Sequence, residues 1–227
     1  NLRNAREKEE AAVLVKNEQL RANLLRSISH DLRTPLTSIS GNADTLLHSD
    51  ETLDAAARTQ IFTDIFDDAQ WLNGLVENLL SITKIAEGSV RLHLSDQIVE
   101  DVITEALRHI DRRSKEHSVT VDCGDAPVLA RMDAGLIVQV LVNLVNNAIK
   151  YTPTGSHIQI SARAQGRDAV ICVADDGPGI PPEWQARAFE LFFTAGKPAG
   201  DSSRSLGLGL SLCRSIVEAH GGALTLA

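Results

Sequence analysis

Two long amphipathic stretches joined by a short polar turn constrain this chain more than any other feature. Within residues 1–47, Leu25, Ile28, Leu32, Leu36, Ile39, Ala43 and Leu46 recur at steps of three and four. That spacing puts them on one stripe of a single helix. Pro35 lies inside the stripe and is expected to kink the helix about one turn beyond His30. Residues 48–53 read as a polar turn, and a second helix is expected over about 54–86. Its stripe is Ile61, Ile65, Ala69, Leu72, Val76 and Leu79, continued by Ile82 or Thr83. Two such helices form an antiparallel hairpin that cannot cover its own stripe. Two copies can, as a four-helix bundle, so a homodimer is expected.

After Glu87-Gly88 the pattern changes, and a domain boundary is expected near residues 87–90. Val90, Leu92 and Leu94 alternate as in a strand, and Ser95 can cap a helix from 96 to about 113. Strands are expected at 118–122 and 128–132, then a helix capped by Asp133 and running through Lys150. Strands at 156–164 and 168–174 follow, then a short helix from Pro181, a Gly- and Ser-rich stretch at 195–205, and a last helix at 208–220. Mixed elements of this kind point to an α+β sandwich. Hydrophobic residues make up 43% of the 227-residue chain but aromatics only 4%, so aliphatic side chains must fill both cores.

The net charge is -8 without any Lys/Arg block, which argues against nucleic acid as a partner. Cys123, Cys172 and Cys213 are widely spaced and odd in number, which disfavours a disulfide framework or a zinc site and suits a reducing cytoplasm. There is no apolar run of about 18 residues and no signal peptide. The chain opens inside a charged helical stretch and is read as a piece of a longer protein.

Four segments carry chemistry. In Ser29-His30-Asp31-Leu32-Arg33-Thr34-Pro35-Leu36, Leu32 and Leu36 belong to the stripe and His30 points away from it. An exposed imidazole beside a carboxylate suits a nucleophile whose ring Asp31 orients and deprotonates. Taken alone, a His-Asp pair is more often a solvated helix histidine beside an unrelated acid; the whole octet reverses that. Asn143 and Asn147 stand four apart on one helix face. Oxygen ligands there suit Mg²⁺, which keeps several waters and takes few protein groups. Lys150 follows one turn later to meet a phosphate, and Tyr151 to cover a base. Asn pairs without company are usually caps or surface residues.

The third segment, Val173-Ala174-Asp175-Asp176-Gly177-Pro178-Gly179-Ile180, follows an apolar strand. A carboxylate at a strand end can accept from an exocyclic amine such as that of adenine, and the two glycines let the backbone pass beside a flat ring. An ordinary Asp-Gly turn is the plain alternative. The fourth, Ser205-Leu206-Gly207-Leu208-Gly209-Leu210-Ser211, opens the last helix, where backbone N–H groups can meet phosphate. It does not follow a strand, which argues against a dinucleotide-binding βαβ unit. The stretch before it suits a lid over nucleotide.

The order and spacing of these segments resemble the H, N, G1 and G2 boxes of the sensor histidine kinases of two-component systems, with Phe189-Glu190-Leu191-Phe192 similar to their F box. Within that family the H-box run is most similar to the potassium-responsive members. The resemblance implies a signalling helix over 1–22, a dimerisation and phosphotransfer hairpin over 23–87, and a Bergerat-type ATP-binding domain over 88–227. It implies His30 as phosphoacceptor, Asp31 as its base, and Thr34 positioning water when a regulator is dephosphorylated. Asn143 and Asn147 would hold magnesium, with Asn147 the metal ligand, and Lys150 and Tyr151 would line the nucleotide. Asp175 would read the adenine amine beside Gly177 and Gly179. Phe189, Gly207, Gly209 and Leu210 would complete the ATP site.

Two positions depart from the family pattern: Asn146 stands where many members have an acid, and Ser205 where the first glycine of the last box often falls. The implied partners are a second copy and the receiver domain of a response regulator. The implied location is the cytoplasmic part of an inner-membrane sensor, joined to the membrane only through upstream segments. The rival readings are a chaperone- or topoisomerase-type ATPase, which would lack the His30 octet, and a dimeric scaffold without transfer activity.

Overall fold

The computed structural model describes residues 29, 32–48, 53–86, 92–191, 193–194 and 207–226. These fall into two compact units, divided within a helix between Glu77 and Asn78.

The first unit is helical. Residues 32–48 form α1, and Ala55–Ala86 form α2. Asp54 starts α2, its Oδ1 accepting from the Ala57 amide at 2.6 Å, as an N-cap carboxylate does. The expected stripe on α2 is shifted in part. Ala69 and Val76 are exposed, while Asp68 and Leu75 are buried beside half-buried Ile61, Ile65, Leu72 and Leu79. The inward positions 61, 65, 68, 72, 75 and 79 alternate steps of four and three, the spacing of a helix–helix seam. Leu36 (52%), Phe62 (57%), Leu80 (54%) and Leu47 (80%) remain exposed on this single copy.

The second unit is the expected α+β sandwich. Its further elements are β1 (Ser95–Ile98), α3 (Val99–Leu107), a 3-10 turn at Arg112–Glu116, β2 (Ser118–Asp122) and β3 (Leu129–Met132). Then come α4 (Ala134–Tyr151), β4 (His157–Gln165), β5 (Asp168–Asp175), α5 (Pro182–Gln185) and α6 (Gly209–Ala219). β4 pairs in parallel with β2 and antiparallel with β5, while β1 pairs antiparallel with β3 in a separate ribbon.

One expectation fails here. Residues 92–94 are not a strand, and Ser95 does not cap a helix; it begins β1 opposite Met132. The helix starts later, at Val99, whose amide donates to Val128 O at 2.9 Å. The partner strand lies more than thirty residues downstream, so no local pattern reveals it.

Ile158, Ile160 and Ala162 of β4 point inward at every second position. They pack against Val99, Val102, Ile103 and Ala106 of α3 and Leu141, Val145, Ala148 and Ile149 of α4. Each such aliphatic side chain taken fully out of water contributes about 1.5–3 kcal/mol. A second cluster, Val140 with Leu212, Cys213 and Ile216, joins α4 to α6. Burial pushes the Cys213 thiol up to about 12, whereas Cys172 is exposed on β5. At about pH 8 a thiol reagent is expected to modify Cys172 readily and Cys213 only after denaturation. Mass mapping checks this, and equal labelling of both in the native protein would contradict it.

Among the described residues, no helix is long and apolar enough to cross a membrane.

Candidate functional site

Everything that the second unit offers for nucleotide chemistry gathers around α4. Its start is fixed by Asp133, whose Oδ1 accepts from the Leu136 amide at 3.3 Å. Its apolar face is spent on the sandwich core, which leaves Asn143 and Asn147 on another face, both half-buried. A turn beyond them are Lys150 and exposed Tyr151, with Lys150 Nζ 5.4 Å from the Tyr151 ring centroid.

The start of α6 lies against that face. A Cβ placed on Gly209 would stand 3.5 Å from Asn143 Oδ1 and 3.9 Å from Asn147 Nδ2. The first turn of α6 therefore brings bare backbone to the asparagine pair, close enough that a methyl at 209 would touch both in ordinary van der Waals contact. Gly207 just before it is left-handed, at φ 65°, and Leu210 is half-buried in the first turn. Leu208 is buried, and its carbonyl accepts from the Leu212 amide at 3.0 Å and from Ser211 Oγ at 2.9 Å.

The far end of α4 meets the Asp-Gly turn after β5. A Cβ on Gly177 would fall 2.7 Å from both Thr152 Cγ2 and Asp175 Oδ1, closer than real Cβ contacts allow. Asp175 Oδ1 accepts from the Gly177 amide at 3.0 Å, and its Oδ2 meets no donor among the described residues. The neighbouring Asp176 is structural. Its Oδ1 accepts from the His157 amide at 3.0 Å, and Oδ2 lies 3.2 Å from His157 Nδ1. Those bonds, the amide first, hold its carboxyl below the usual range and moor the turn to β4. Gly179 is exposed beyond it.

Sequence reasoning missed Thr152. It is buried, and its Oγ1 donates to Ala148 O at 2.7 Å, closing α4 where Gly177 arrives. A Thr directly after the helix's last residue was the available signal. Asn146 stands elsewhere: its Oδ1 accepts from the Asp111 amide at 2.8 Å, so it moors the start of the 3-10 turn. Phe189 is half-buried, with the Arg214 guanidinium of α6 5.5 Å from its ring centroid. Thr34 is exposed on α1, and Arg33, Thr34, Thr37 and Ser38 line an open depression. His30, Asp31, Ser205 and the stretch 195–205 lie outside the described residues.

The donor set fits a magnesium nucleotide. No group of three His, Cys, Asp or Glu capable of holding a metal occurs among the described residues. Two amide side chains beside bare helix-start N–H groups suit an ion whose other ligands are phosphate and water.

Comparisons with known proteins find two domain families along the chain. Residues 20–88 match the His Kinase A (phospho-acceptor) domain family, and residues 132–227 match the histidine kinase-, DNA gyrase B- and HSP90-like ATPase family. The chain is 42% identical over 218 residues to the sensor protein KdpD of Clostridium acetobutylicum; the match covers 96% of this chain and 24% of that protein's length. Among solved structures, histidine kinase AdeS of Acinetobacter baumannii superposes with a TM-score of 0.61 at 26% identity, over 84% of this chain and 86% of that one. Full-length ShkA in complex with AMPPNP gives a TM-score of 0.57 at 27% identity, over 88% of this chain and 42% of that one. With a phosphoacceptor domain over the hairpin and an ATPase domain over the sandwich, in that order, the chain belongs to the sensor histidine kinases of two-component systems.

Proposed function

We propose that this chain transfers the γ-phosphoryl group of ATP to an imidazole nitrogen of its own His30 and then passes it to an aspartate of a response regulator. The observation that carries the reading is the approach of Gly209 to Asn143 and Asn147, in a chain whose phosphoacceptor match spans His30.

Phosphoryl transfer asks a protein mainly for positioning and charge neutralisation. Asn147 is the residue proposed to hold Mg²⁺, with Asn143 beside it. The bound ion would supply charge neutralisation on the transferring group. Backbone amides around Gly207, Gly209 and Leu210 donate to phosphate oxygens, and Lys150 adds a cation. Asp175 accepts from the adenine amine through Oδ2, Gly177 and Gly179 admit the ring, and Tyr151 and Phe189 flank the nucleotide. Asp31 orients the His30 ring and takes its proton as the N–P bond forms. The ADP oxygen leaves as the phosphoryl group crosses.

Thr34 is proposed to position water for dephosphorylating the regulator, which would dock over the depression at Arg33, Thr34, Thr37 and Ser38. The apolar side chains left exposed on the hairpin support a dimer through a four-helix bundle. The ADP-producing chemistry belongs to residues 88–227, the acceptor to 23–87, and the signalling helix to 1–22. The resemblance of the His30 run to the potassium-responsive members of the family is the ground for proposing a potassium or osmotic stimulus and a membrane-anchored parent protein.

Incubation with radiolabelled ATP tests this. The protein should acquire label that acid removes and alkali does not, and chelation of Mg²⁺ should reduce its rate by on the order of 10²-fold or more. Acid-stable label, or labelling that ignores chelation, would refute the reading.

A further inference from the structure

Helices α4 and α6 lie antiparallel, and a single histidine ties the ends remote from the asparagines. Gly209 faces Asn143 and Asn147, Cys213 Sγ lies 3.6 Å from Val140 O, and His220 reaches Asp133. His220 Nε2 accepts from the Asp133 amide at 3.0 Å, while its Nδ1 lies 2.8 Å from Ile216 O. Since Nε2 faces an N–H, Nδ1 carries the proton and donates to the carbonyl. One neutral tautomer satisfies both bonds.

The backbone presents that ring by a helix stop of defined geometry. The Gly221 amide donates to Glu218 O at 2.9 Å and the Gly222 amide to Val217 O at 3.0 Å, the two bonds of a Schellman end. Gly221 takes φ 77°, which a side chain resists. At Gly222 a Cβ would stand 3.1 Å from Val217 Cγ1. His220 is therefore held at the end of α6 with little freedom, aimed at the cap of α4.

Asp133 serves three further partners. Its carbonyl accepts from Ile137 at 3.1 Å and its Oδ1 from Leu136. Its Oδ2 accepts from the His93 amide at 3.0 Å, in the segment that leads into β1. The apolar α4–α6 interface of Val140, Leu212 and Ile216 holds the helices together by packing that is non-directional for each contact. The polar bond at its end adds the stronger directional restraint, beside the weak contact of Cys213 Sγ with Val140 O.

We propose that His220 is a positioning residue for the phosphates of ATP. It fixes how far α6 slides along α4, and so how closely the Gly207–Gly209 backbone approaches Asn143 and Asn147, about 16 Å away at 1.5 Å per residue. The inference rests on assigning that backbone to the phosphates. It places the control of phosphate affinity far from the nucleotide, and at a cap that also holds the incoming segment at His93.

The test compares Mg-ATP with adenosine on the whole chain by calorimetry, because adenosine uses the Asp175 end and not α6. His220→Leu keeps the volume and removes the acceptor; His220→Gln keeps an acceptor for the Asp133 amide. His220→Leu should weaken ATP by about tenfold or more and adenosine by less than about twofold, since small misplacements cost that much at a site built on geometry. His220→Gln should recover ATP binding to within about threefold of wild type. Equal losses for ATP and adenosine would mean a merely structural role and overturn the proposal, as would identical behaviour of the two variants. Wild-type protein that binds ATP no better than adenosine would remove the phosphate assignment itself, and the proposal with it.

Discussion

His30→Gln is expected to abolish stable phosphorylation while leaving ATP binding within about twofold of wild type. Glutamine matches much of the ring's reach and polarity but has no nitrogen lone pair that can attack phosphorus. Removing the nucleophile of a covalent mechanism typically costs 10³-fold or far more in turnover. His30 belongs to the phosphoacceptor match at 20–88, whereas the asparagines and glycines proposed to bind ATP belong to the second unit. Asn147→Ala should therefore show the opposite signature, with weakened Mg-ATP binding and the acceptor intact. Mixing the two variants gives a further readout. If dimers exchange subunits and transfer crosses between them, label returns on the Asn147→Ala chain only. If transfer stays within a subunit, the mixture remains dark. Label persisting on His30→Gln would move the acceptor elsewhere and overturn the proposed mechanism.

Much of this was legible in the sequence because it is local. The 3.6-residue period gave α2 nearly to its ends, Asp133 marked the cap of α4, and β4 and β5 lie close to the strands expected at 156–164 and 168–174. What stayed hidden depends on partners far along the chain. Ser95 carries every mark of a helix cap, yet pairing with Met132 makes it a strand residue. On α2 the apolar pattern favoured Ala69 and Val76, but the buried seam runs through Asp68 and Leu75, a rotation that only the facing helix can decide. Asn146 looked like a missing acid of the family; its amide oxygen is engaged by Asp111, thirty-five residues earlier. The pair Gly221-Gly222 was readable as a helix stop, but its use in aiming His220 at Asp133 was not. The glycine-rich segments were placed correctly, one just after β5 and the other opening the last helix. Their convergence on the C-terminal half of α4 needed coordinates.

That convergence makes the second large effect, Gly177→Ala, unlike an ordinary Gly-to-Ala change. A methyl at 177 would sit 2.7 Å from Thr152 Cγ2 and from Asp175 Oδ1, so both contacts must be relieved. Thr152 is buried and bonded to Ala148 O at the end of α4, and overpacking of this kind costs about 1–3 kcal/mol. Asp175 is exposed and held here by one bond from Gly177, so Thr152 shifts only enough to relieve its own contact while Asp175 moves furthest. Swinging it away removes the proposed acceptor for the adenine amine, and a buried ligand donor left without its partner is heavily penalised. ATP and adenosine affinity should both fall by about 10–100-fold, which is about 1.4–2.8 kcal/mol at 1.4 kcal/mol per decade. Thermal unfolding should shift down by only a few degrees, at roughly 2–4 °C per kcal/mol for a unit of this size. Gly74→Ala is the matched control, since a Cβ there meets nothing within 4 Å on helix α2, and it should leave nucleotide affinity unchanged. Calorimetry on the two variants separates the cases. Normal nucleotide affinity in folded Gly177→Ala protein would show that the Asp175 turn does not hold the base.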